Sequence, residues 1–296
     1  MKDSKTAETI GRIGQLARRD PGGRGLASHA PAGGLLDAAQ SLISSSRVIL
    51  VTGFCIRAAM IGETDGPPGT LALASALHQL GKPLMLVTDT YSAGMLQAGI
   101  DVLGDEFPLL SLDREQARAD RQIDALLADF APSHVVAIER PGTAIDGHCY
   151  SMRGERLDDL LPAADRLLVP PGPRNFQTIA IGDGGNELGM GSLRNATKQH
   201  VAHGELIFCV TPADHVVPAG ISNWGAYALA AALSLLAGRL LIRPPAAEQQ
   251  VLAAMVAAGA VDGITGRCEA SVDGLVWPGY AATLTEIHAE VTRQLG

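Results

Sequence analysis

The sequence predicts an α/β protein whose doubly wound, mostly parallel sheet carries helices on both faces. Short, continuous apolar runs alternate with longer segments of helical periodicity, which is typical of parallel strands joined by crossover helices. Most of these runs end at a glycine or an acidic residue, as strands of such sheets do where a loop begins. The 296 residues are 47% apolar and 18% charged, a balance that supports a well-packed core.

The first 45 residues (1–45) are predicted to form a helical segment packed on the main domain. One helix over 4–18 and another over 35–43 flank the loop Asp20-Pro-Gly-Gly-Arg-Gly25. This loop could bind an anion or serve only as a flexible connector. Residues 46–296 are predicted to form a single α/β domain, because neither a linker nor an internal repeat interrupts them.

Five apolar runs are predicted to be strands buried on both faces of the sheet. They cover 47–53, 84–88, 134–138, 178–181 and 206–210. The intervening segments are predicted to be helical, because their apolar residues recur every three or four positions or because a glycine ends them. These helices cover 70–80, 92–98, 113–130, 224–241, 246–258 and 279–295.

Acidic residues follow the predicted strands, at the edge of the sheet where ligands bind in this fold class. They are Glu63, Asp65, Asp89, Glu139, Asp183, Glu187 and Asp214. Each could simply cap the helix that follows it. Several carboxylates in one cleft, however, repel one another unless their pKa values rise or a cation binds. Glycines beside many of them would let a ligand approach the backbone, so the set as a whole favours a functional site.

The most distinctive motif is Gly182-Asp-Gly-Gly-Asn-Glu-Leu-Gly-Met-Gly191. Its glycines allow consecutive N–H groups to converge on an anion, although a tight turn without a ligand is the alternative. It matches neither the dinucleotide-binding nor the P-loop pattern. Two polar histidines, His148 and His215, are candidate bases near the same edge. Asn223, at the start of the long apolar helix, could cap that helix or hold a substrate carboxylate.

Composition and missing motifs argue against several classes. The net charge of −8 and the aromatic content of 4% argue against nucleic-acid binding. The four cysteines are widely spaced, and zinc-protease and serine-hydrolase motifs are lacking. The most apolar stretch, 226–242, is short for a membrane span, and we see no secretory leader. We therefore expect a cytoplasmic protein that has reduced thiols and binds neither nucleic acid nor membranes.

Five segments of the chain together resemble the D-glutamate cyclase family, specifically its C-terminal domain, over about residue 20 to the C-terminus. They are Glu63-Thr-Asp-Gly-Pro-Pro-Gly69; Glu139-Arg-Pro-Gly142 with Asp146-Gly147 and Met152-Arg-Gly154; Gly182 to Gly191; Thr211-Pro-Ala-Asp-His215; and Ser222-Asn-Trp-Gly225. The resemblance implies a lyase that closes D-glutamate to 5-oxo-D-proline with loss of water, reversibly. A separate N-terminal domain precedes this one in larger family members, so the chain is expected to be a stand-alone form.

The implied cyclisation requires the α-amine to lose a proton and attack the γ-carboxyl carbon of the same molecule. Tethering supplies much of the rate, but the carboxylate is a poor electrophile and must be polarised by a cation or an acid. We expect Glu63, Asp65 and Asp89 to be catalytic. Glu63 or Asp65 would be the base, since neighbouring carboxylates raise the pKa of such a group.

The remaining expected site residues bind metal or substrate. The metal ligands are predicted to be Glu139, Asp183 and Glu187. Their hard oxygens favour Mn²⁺ or Mg²⁺ over zinc. The substrate-binding residues are predicted to be Gly184, Gly185, Asn186, Asn223, Arg140 and Arg153.

Two other functions stay open. A Mn²⁺- or Mg²⁺-dependent phosphatase or related hydrolase could use the same acidic cleft. A small-acid sensor without turnover is the alternative that involves no catalysis. All three interpretations predict a small anionic ligand, and the apolar helices near 226–242 and 246–258 could support a homo-oligomer.

Overall fold

The structure, a computed structural model, describes residues 2–296 and the side chains from residue 4 onwards. Within this range the α-helices are α1 (Lys2–Ala17), α2 (Gly34–Ile43), α3 (Pro67–Gln79), α4 (Ala93–Leu103), α5 (Gln116–Phe130), α6 (Arg194–His200), α7 (Gly204–Ile207), α8 (Ser222–Ala237), α9 (Pro245–Ala257) and α10 (Trp277–Leu295). The strands are β1 (Val48–Thr52), β2 (Cys55–Ile56), β3 (Ile61–Gly62), β4 (Leu84–Asp89), β5 (Leu109–Leu112), β6 (His134–Ile138), β7 (Gln177–Gly182), β8 (His215–Pro218), β9 (Ser271–Val272) and β10 (Leu275–Val276).

The central sheet has six parallel strands in the order β5-β4-β1-β6-β7-β8. From β1 the chain moves outward to β4 and β5 and then returns to β6 on the other side of β1. The strand order therefore reverses between β1 and β6, where a doubly wound sheet opens a crevice at its carboxyl edge. The predicted fold class is confirmed.

Alternate residues of the central strands enter two different cores, as the period of two in a strand requires. Val48 and Leu50 pack with α3 and α8 on one face, whereas Ile49 and Val51 pack with α5 on the other. Helix α8 is buried on all sides because α1, α2, α3 and α10 surround it, which accounts for its uniformly apolar sequence.

Local chemistry explains where several helices begin and end. Proline lies in the first turn of α3, α9 and α10, where its missing N–H costs nothing. Helices α4 and α8 end at Gly104 and Gly238, which adopt the left-handed conformation. The predicted 113–130 helix starts three residues late because Glu115 caps it, its carboxylate accepting from the N–H of Ala117.

The fifth predicted strand, 206–210, is wrong. Its first residues belong to α7, and the sixth strand of the sheet is β8, His215–Pro218. A short apolar run does not distinguish a strand from a helix turn or loop packed on the core. Strand β5 escaped prediction because it is a short edge strand whose first three residues are only half-buried. Within the described residues, no helix is long and apolar enough to cross a lipid bilayer.

Candidate active site

Three carboxylates meet beyond the carboxyl ends of β1, β6 and β7. Asp65, Glu139 and Asp183 each place one oxygen within 4.8 Å of the other two, and all three residues are buried. Glu139 follows β6 directly and Asp183 follows β7 directly, while Asp65 lies on the loop between β1 and α3. The expected convergence of these loops at one edge of the sheet is confirmed.

Asp65 is held by the start of α8. Its two oxygens accept from the N–H groups of Ser222 at 2.9 Å and Asn223 at 2.8 Å. The Asn223 side chain binds the Asp65 loop in turn, because its Oδ1 accepts from the N–H groups of Gly66 and Gly69. Its Nδ2 donates to the Thr64 carbonyl. All polar atoms of Asn223 thus hold the loop against the helix, and the substrate-binding role of Asn223 stays a prediction.

Glu139 has a strained backbone. Its φ of 44° is left-handed, which is unfavourable for a residue other than glycine. Gly66 packs so closely here that a Cβ would lie 2.6 Å from the Glu139 Cβ. The Ser222 hydroxyl donates to Glu139 Oε2 at 2.5 Å and so orients the carboxylate.

The glycine-rich segment after β7 does form an anion-binding nest, but its anion is Glu187. The N–H groups of Asp183, Gly184 and Gly185 donate to the Glu187 carboxylate at 2.8, 2.5 and 2.6 Å. Asn186 Nδ2 donates to the Tyr150 carbonyl at 2.8 Å. The metal-binding role predicted for Glu187 and the substrate-binding roles predicted for Gly184, Gly185 and Asn186 therefore stay predictions. These contacts do not favour them.

Asp89 and Arg140 form a buried ion pair beside the cleft. Arg140 Nη1 contacts Asp89 Oδ2 and the Gly53 carbonyl, and the Arg140 side chain is 0% exposed. The other oxygen of Asp89 accepts from the N–H groups of Tyr91 and Ser92. Neither side chain lines the cleft, so the geometry offers no support for the catalytic role predicted for Asp89 or the substrate-binding role predicted for Arg140.

The cleft above the carboxylates has a volume of about 560 Å³, including its open mouth. Half of the residues that line it are charged, namely Glu63, Glu139, Asp183, Arg24, Arg153 and Asp273. Sequence reasoning had not placed Arg24 or Asp273 in the site. Arg24 had a weak signal, because it lies in the glycine-rich loop for which anion binding was one of two interpretations. Asp273 had none beyond the turn-forming pair it makes with Gly274.

Burial and mutual repulsion raise the pKa values of the carboxylic acids in the cleft. Burial, with repulsion from Asp273 and Asp65, raises the pKa of Glu63 well above its usual value. Burial and Asp273 raise the pKa of Asp65 to about 7, against the effect of the N–H donors from α8. Burial likewise raises the pKa of Glu139, with repulsion from Glu187, and the pKa of Asp183, although Arg24 opposes the shift at Asp183.

Two arginines face these acids in different ways. Arg24 Nη1 contacts Asp183 Oδ2 and lies 2.9 Å from Asp273 Oδ2. Arg153 is exposed and donates to the Ile264 carbonyl at 3.1 Å. Among the described side chains, no carboxylate lies within 4.0 Å of Arg153. Arg153 is therefore the cation of the cleft that is available to an anionic ligand.

Three further residues suggested from sequence also lie outside the cleft. Asp214 was expected with the other strand-end acids, but it contacts Arg174 and Thr178 at the amino edge of the sheet. His215 begins β8 at the same edge, so it is not a base in the cleft. Both predictions are wrong for one reason, which is that β8 follows these residues instead of preceding them. His148 is exposed and lies beside Arg156 and Asp158.

The fold and the site define an α/β protein with a ligand-sized acidic cleft at the point where the strand order reverses. Residues 13–288 match the family described as D-glutamate cyclase-like, C-terminal. A stretch of 244 residues is 35% identical to human D-glutamate cyclase, mitochondrial, and covers 78% of this chain. The chain belongs to the D-glutamate cyclase-like family, as its motifs predicted. It spans 39% of the length of the human relative.

Proposed function

We propose that this protein is a lyase that interconverts D-glutamate and 5-oxo-D-proline plus water. The observation that carries the proposal is the set of cleft carboxylic acids whose pKa values are raised, above all Glu63. A raised pKa lets such a group keep its proton to a higher pH than an ordinary carboxylic acid, which suits it to both donate and accept protons. The family relationship supplies the reaction class.

Cyclisation moves two protons from the substrate ammonium group to the departing oxygen. The nitrogen attacks the γ-carbon, the bond from this carbon to one carboxyl oxygen breaks, and that oxygen leaves as water. Glu63 faces the cleft, and Gly263 approaches it so closely that a Cβ there would lie 1.7 Å from Glu63 Oε2. We assign Glu63 as the group that carries the two protons, one after the other, from nitrogen to the departing oxygen. Asp65 supports it electrostatically, because the oxygens of Asp65 already accept from backbone N–H groups.

The substrate is an anion, so the cleft must offer it a cation. Arg153 fits this role because its guanidinium group lines the cleft and is not paired with a described carboxylate. A guanidinium group binds a carboxylate through two parallel hydrogen bonds, which also fixes the orientation of the ligand. We propose that Arg153 binds the α-carboxylate of glutamate or of 5-oxoproline.

Asp65, Glu139 and Asp183 fit a divalent cation, because three buried oxygen donors lie within 4.8 Å of one another. Mn²⁺ or Mg²⁺ would suit such hard ligands, and when bound would polarise the γ-carboxyl group. The same three carboxylates are the observation that favours the second candidate, a metal-dependent phosphatase. In either reaction the chain itself orients these groups, through the α8 N-terminus and the Ser222 hydroxyl.

The test is to incubate the purified chain with D-glutamate and, separately, with 5-oxo-D-proline, and to follow interconversion by chiral chromatography. The L-enantiomers are the matched control. Each reaction is run with Mn²⁺, with Mg²⁺ and with a chelator. p-Nitrophenyl phosphate is assayed in parallel. Interconversion of the D-forms supports the proposal, whereas phosphate release without cyclase activity would overturn it in favour of the phosphatase. Ligand-induced stabilisation without any turnover would instead indicate a sensor.

The proposal includes the cellular setting expected from the sequence. We propose a cytoplasmic protein that acts on a small anion, forms a homo-oligomer and has no nucleic-acid or membrane partner. The human relative is named as mitochondrial. Fractionation of the native cells and light scattering of the purified chain would test location and oligomeric state.

A further inference from the structure

Arg24 enters the acidic cluster from outside the sheet. It lies on the loop between α1 and α2, while the carboxylates it contacts follow β7 and β9. Its side chain is only 14% exposed, although the two glycines before it are fully at the surface. A long cationic side chain is thus inserted from a surface loop into the most acidic part of the molecule.

The charges around Arg24 are unbalanced. Carboxylic acids that lie in or beneath the cleft are Glu63, Asp65, Glu139, Asp183 and Asp273. Among the described side chains, Arg24 is the one cation that forms ion pairs with members of this set. Buried negative charge is costly, so these acids either keep a proton or pair with a cation that can reach them. In this structure Arg24 is that cation.

The loop that carries Arg24 is bound to the rest of the protein at its base, whereas the hydrogen bonds near its tip are made within the loop. The base is held because the N–H of Gly220 donates to the Ala17 carbonyl at 2.9 Å. Near the tip, the Asp20 carboxylate accepts from the N–H groups of Arg24 at 3.1 Å and Gly25 at 2.7 Å. Gly22 and Gly23 are exposed, and these hydrogen bonds within the loop do not tie its tip to the sheet once the ion pairs of Arg24 are broken.

We propose that Arg24 is a built-in counter-ion of the acidic cluster and that a divalent cation binds there only when Arg24 leaves. This inference rests on the metal binding suggested in the proposed function and adds its regulation. Arg24 and the metal both require Asp183, and two cations that share one buried carboxylate repel each other strongly. The 20–25 loop would therefore open as metal binds. If the loop is open for about a tenth of the time or less, the apparent metal affinity falls at least about tenfold.

The first experiment titrates Mn²⁺ alone into the wild-type chain and into the Arg24→Gln variant by calorimetry, without substrate. We expect the variant to bind Mn²⁺ at least about tenfold more tightly. Arg24→Lys keeps the charge with a different head group and should fall between the two. Arg153→Gln is the matched control, because it removes an arginine from the same cleft that has no carboxylate partner. Arg153→Gln should change the Mn²⁺ affinity much less than Arg24→Gln does.

The second experiment uses the unmodified chain, so it does not depend on a variant that folds. Trypsin must bind the arginine side chain itself before it cuts the following bond. The buried Arg24 should resist cleavage before Gly25, and Mn²⁺ should accelerate this cut several-fold, as measured by mass spectrometry. The cut after the exposed Arg153 is the internal control and should not accelerate.

Equal Mn²⁺ affinity in wild type and Arg24→Gln would overturn the inference, and so would an Arg24 cut that Mn²⁺ leaves unchanged. Absence of Mn²⁺ binding in both proteins would overturn it as well. None of these results touches the proposed lyase activity, because turnover of D-glutamate in chelator is measured separately. Conversely, tighter Mn²⁺ binding by Arg24→Gln together with no turnover of either D-substrate would support the inference and overturn the proposed function.

Discussion

Asp214 and Asp183 lie at opposite edges of the central sheet and have opposite electrostatic environments. At the amino edge, Asp214 accepts two hydrogen bonds from Arg174 at 2.7 Å and another from the N–H of Thr178. Although burial opposes ionisation, these donors lower the pKa of Asp214. At the carboxyl edge, Asp183 shares Arg24 with Asp273 and lies beside further acids, and its pKa is raised.

This contrast separates a structural acid from the acids of the proposed active site. An ion pair with matched charge stabilises the fold and has no remaining capacity for a ligand. A group of acids with too little positive charge is unstable by itself, and it persists because the surrounding structure is stable enough to hold it. The strain at Glu139 lies at the same edge, which agrees with the proposed active site there.

The largest effect is expected for Asp183→Asn, which keeps the side-chain volume and removes one charge from the carboxyl edge. We expect kcat/KM for D-glutamate to fall by about 10²–10³-fold, equivalent to about 3–4 kcal/mol of transition-state stabilisation. Circular dichroism and urea denaturation should show that the variant folds. A variant that loses stability but keeps its turnover would show that Asp183 is structural.

Glu63→Gln comes next, because it removes the proposed proton carrier and preserves the shape of the cleft. We expect kcat to fall by about 10²-fold and the corresponding limb of the pH profile to disappear, while KM changes little. The control is Glu155→Gln, at an exposed acid of the neighbouring surface, which should leave kcat unchanged. A uniform loss at all pH values would indicate a positioning role instead.

The edges should also differ in how they respond to acid. Burial, together with the positive charges of His215 and Lys82, lowers the pKa of His134 to about 4, from an ordinary value of 6.5. The unfolded chain therefore binds this proton first, and stability is lost as pH falls from about 6.5 to 4. The pKa of Asp65 is raised to about 7, so the folded chain binds this proton before the unfolded chain does. Protonation of Asp65 therefore stabilises the folded protein as pH falls from 7 towards 3.8, the ordinary pKa of aspartate.

His134→Gln should separate these two effects. Relative to wild type, its free energy of unfolding, measured by urea denaturation, should rise by about 1–2 kcal/mol between pH 7 and pH 5, in addition to any constant difference caused by the lost hydrogen bonds to Ser41 and Ser133. Above pH 7 the difference between the two proteins should not change with pH, which serves as the internal control. A constant difference over the whole range would show that His134 titrates alike in the folded and unfolded chains.

The smallest effect is expected for Asp214→Asn, the same chemical change as Asp183→Asn at the opposite edge. The lost pair with Arg174 is about one-third exposed, so we expect a destabilisation of about 1 kcal/mol. Turnover should stay within about twofold of wild type. A large loss of activity in this variant would break the distinction between the two edges.

Much of the fold could be predicted because its signals are local. Strands β1, β4, β6 and β7 are continuous apolar runs that end at glycine or an acid, and their helices show clear periodicity. Strand β8 could not be placed this way, since the four residues of His215–Pro218 include a histidine and a proline. That single misplacement moved Asp214 and His215 to the wrong edge.

The candidate site could be predicted only in part. Asp65, Glu139 and Asp183 were expected together because parallel strands bring their carboxyl ends to one edge. Nothing in the sequence states that Arg24 reaches Asp183, or that Asp273 joins them from a turn far along the chain. A motif also does not indicate the orientation of a side chain. The Glu187 carboxylate, for example, accepts hydrogen bonds from backbone N–H groups of its own loop.

The sequence by itself determined the doubly wound sheet and the acids at the ends of its strands, because periodicity and strand polarity follow from covalent geometry and burial. Only the tertiary structure decided which of those acids lack a matching cation. That outcome depends on contacts between segments more than a hundred residues apart, such as Arg24 with Asp183. Their energies are set by distance and burial in the folded chain, which no local pattern encodes.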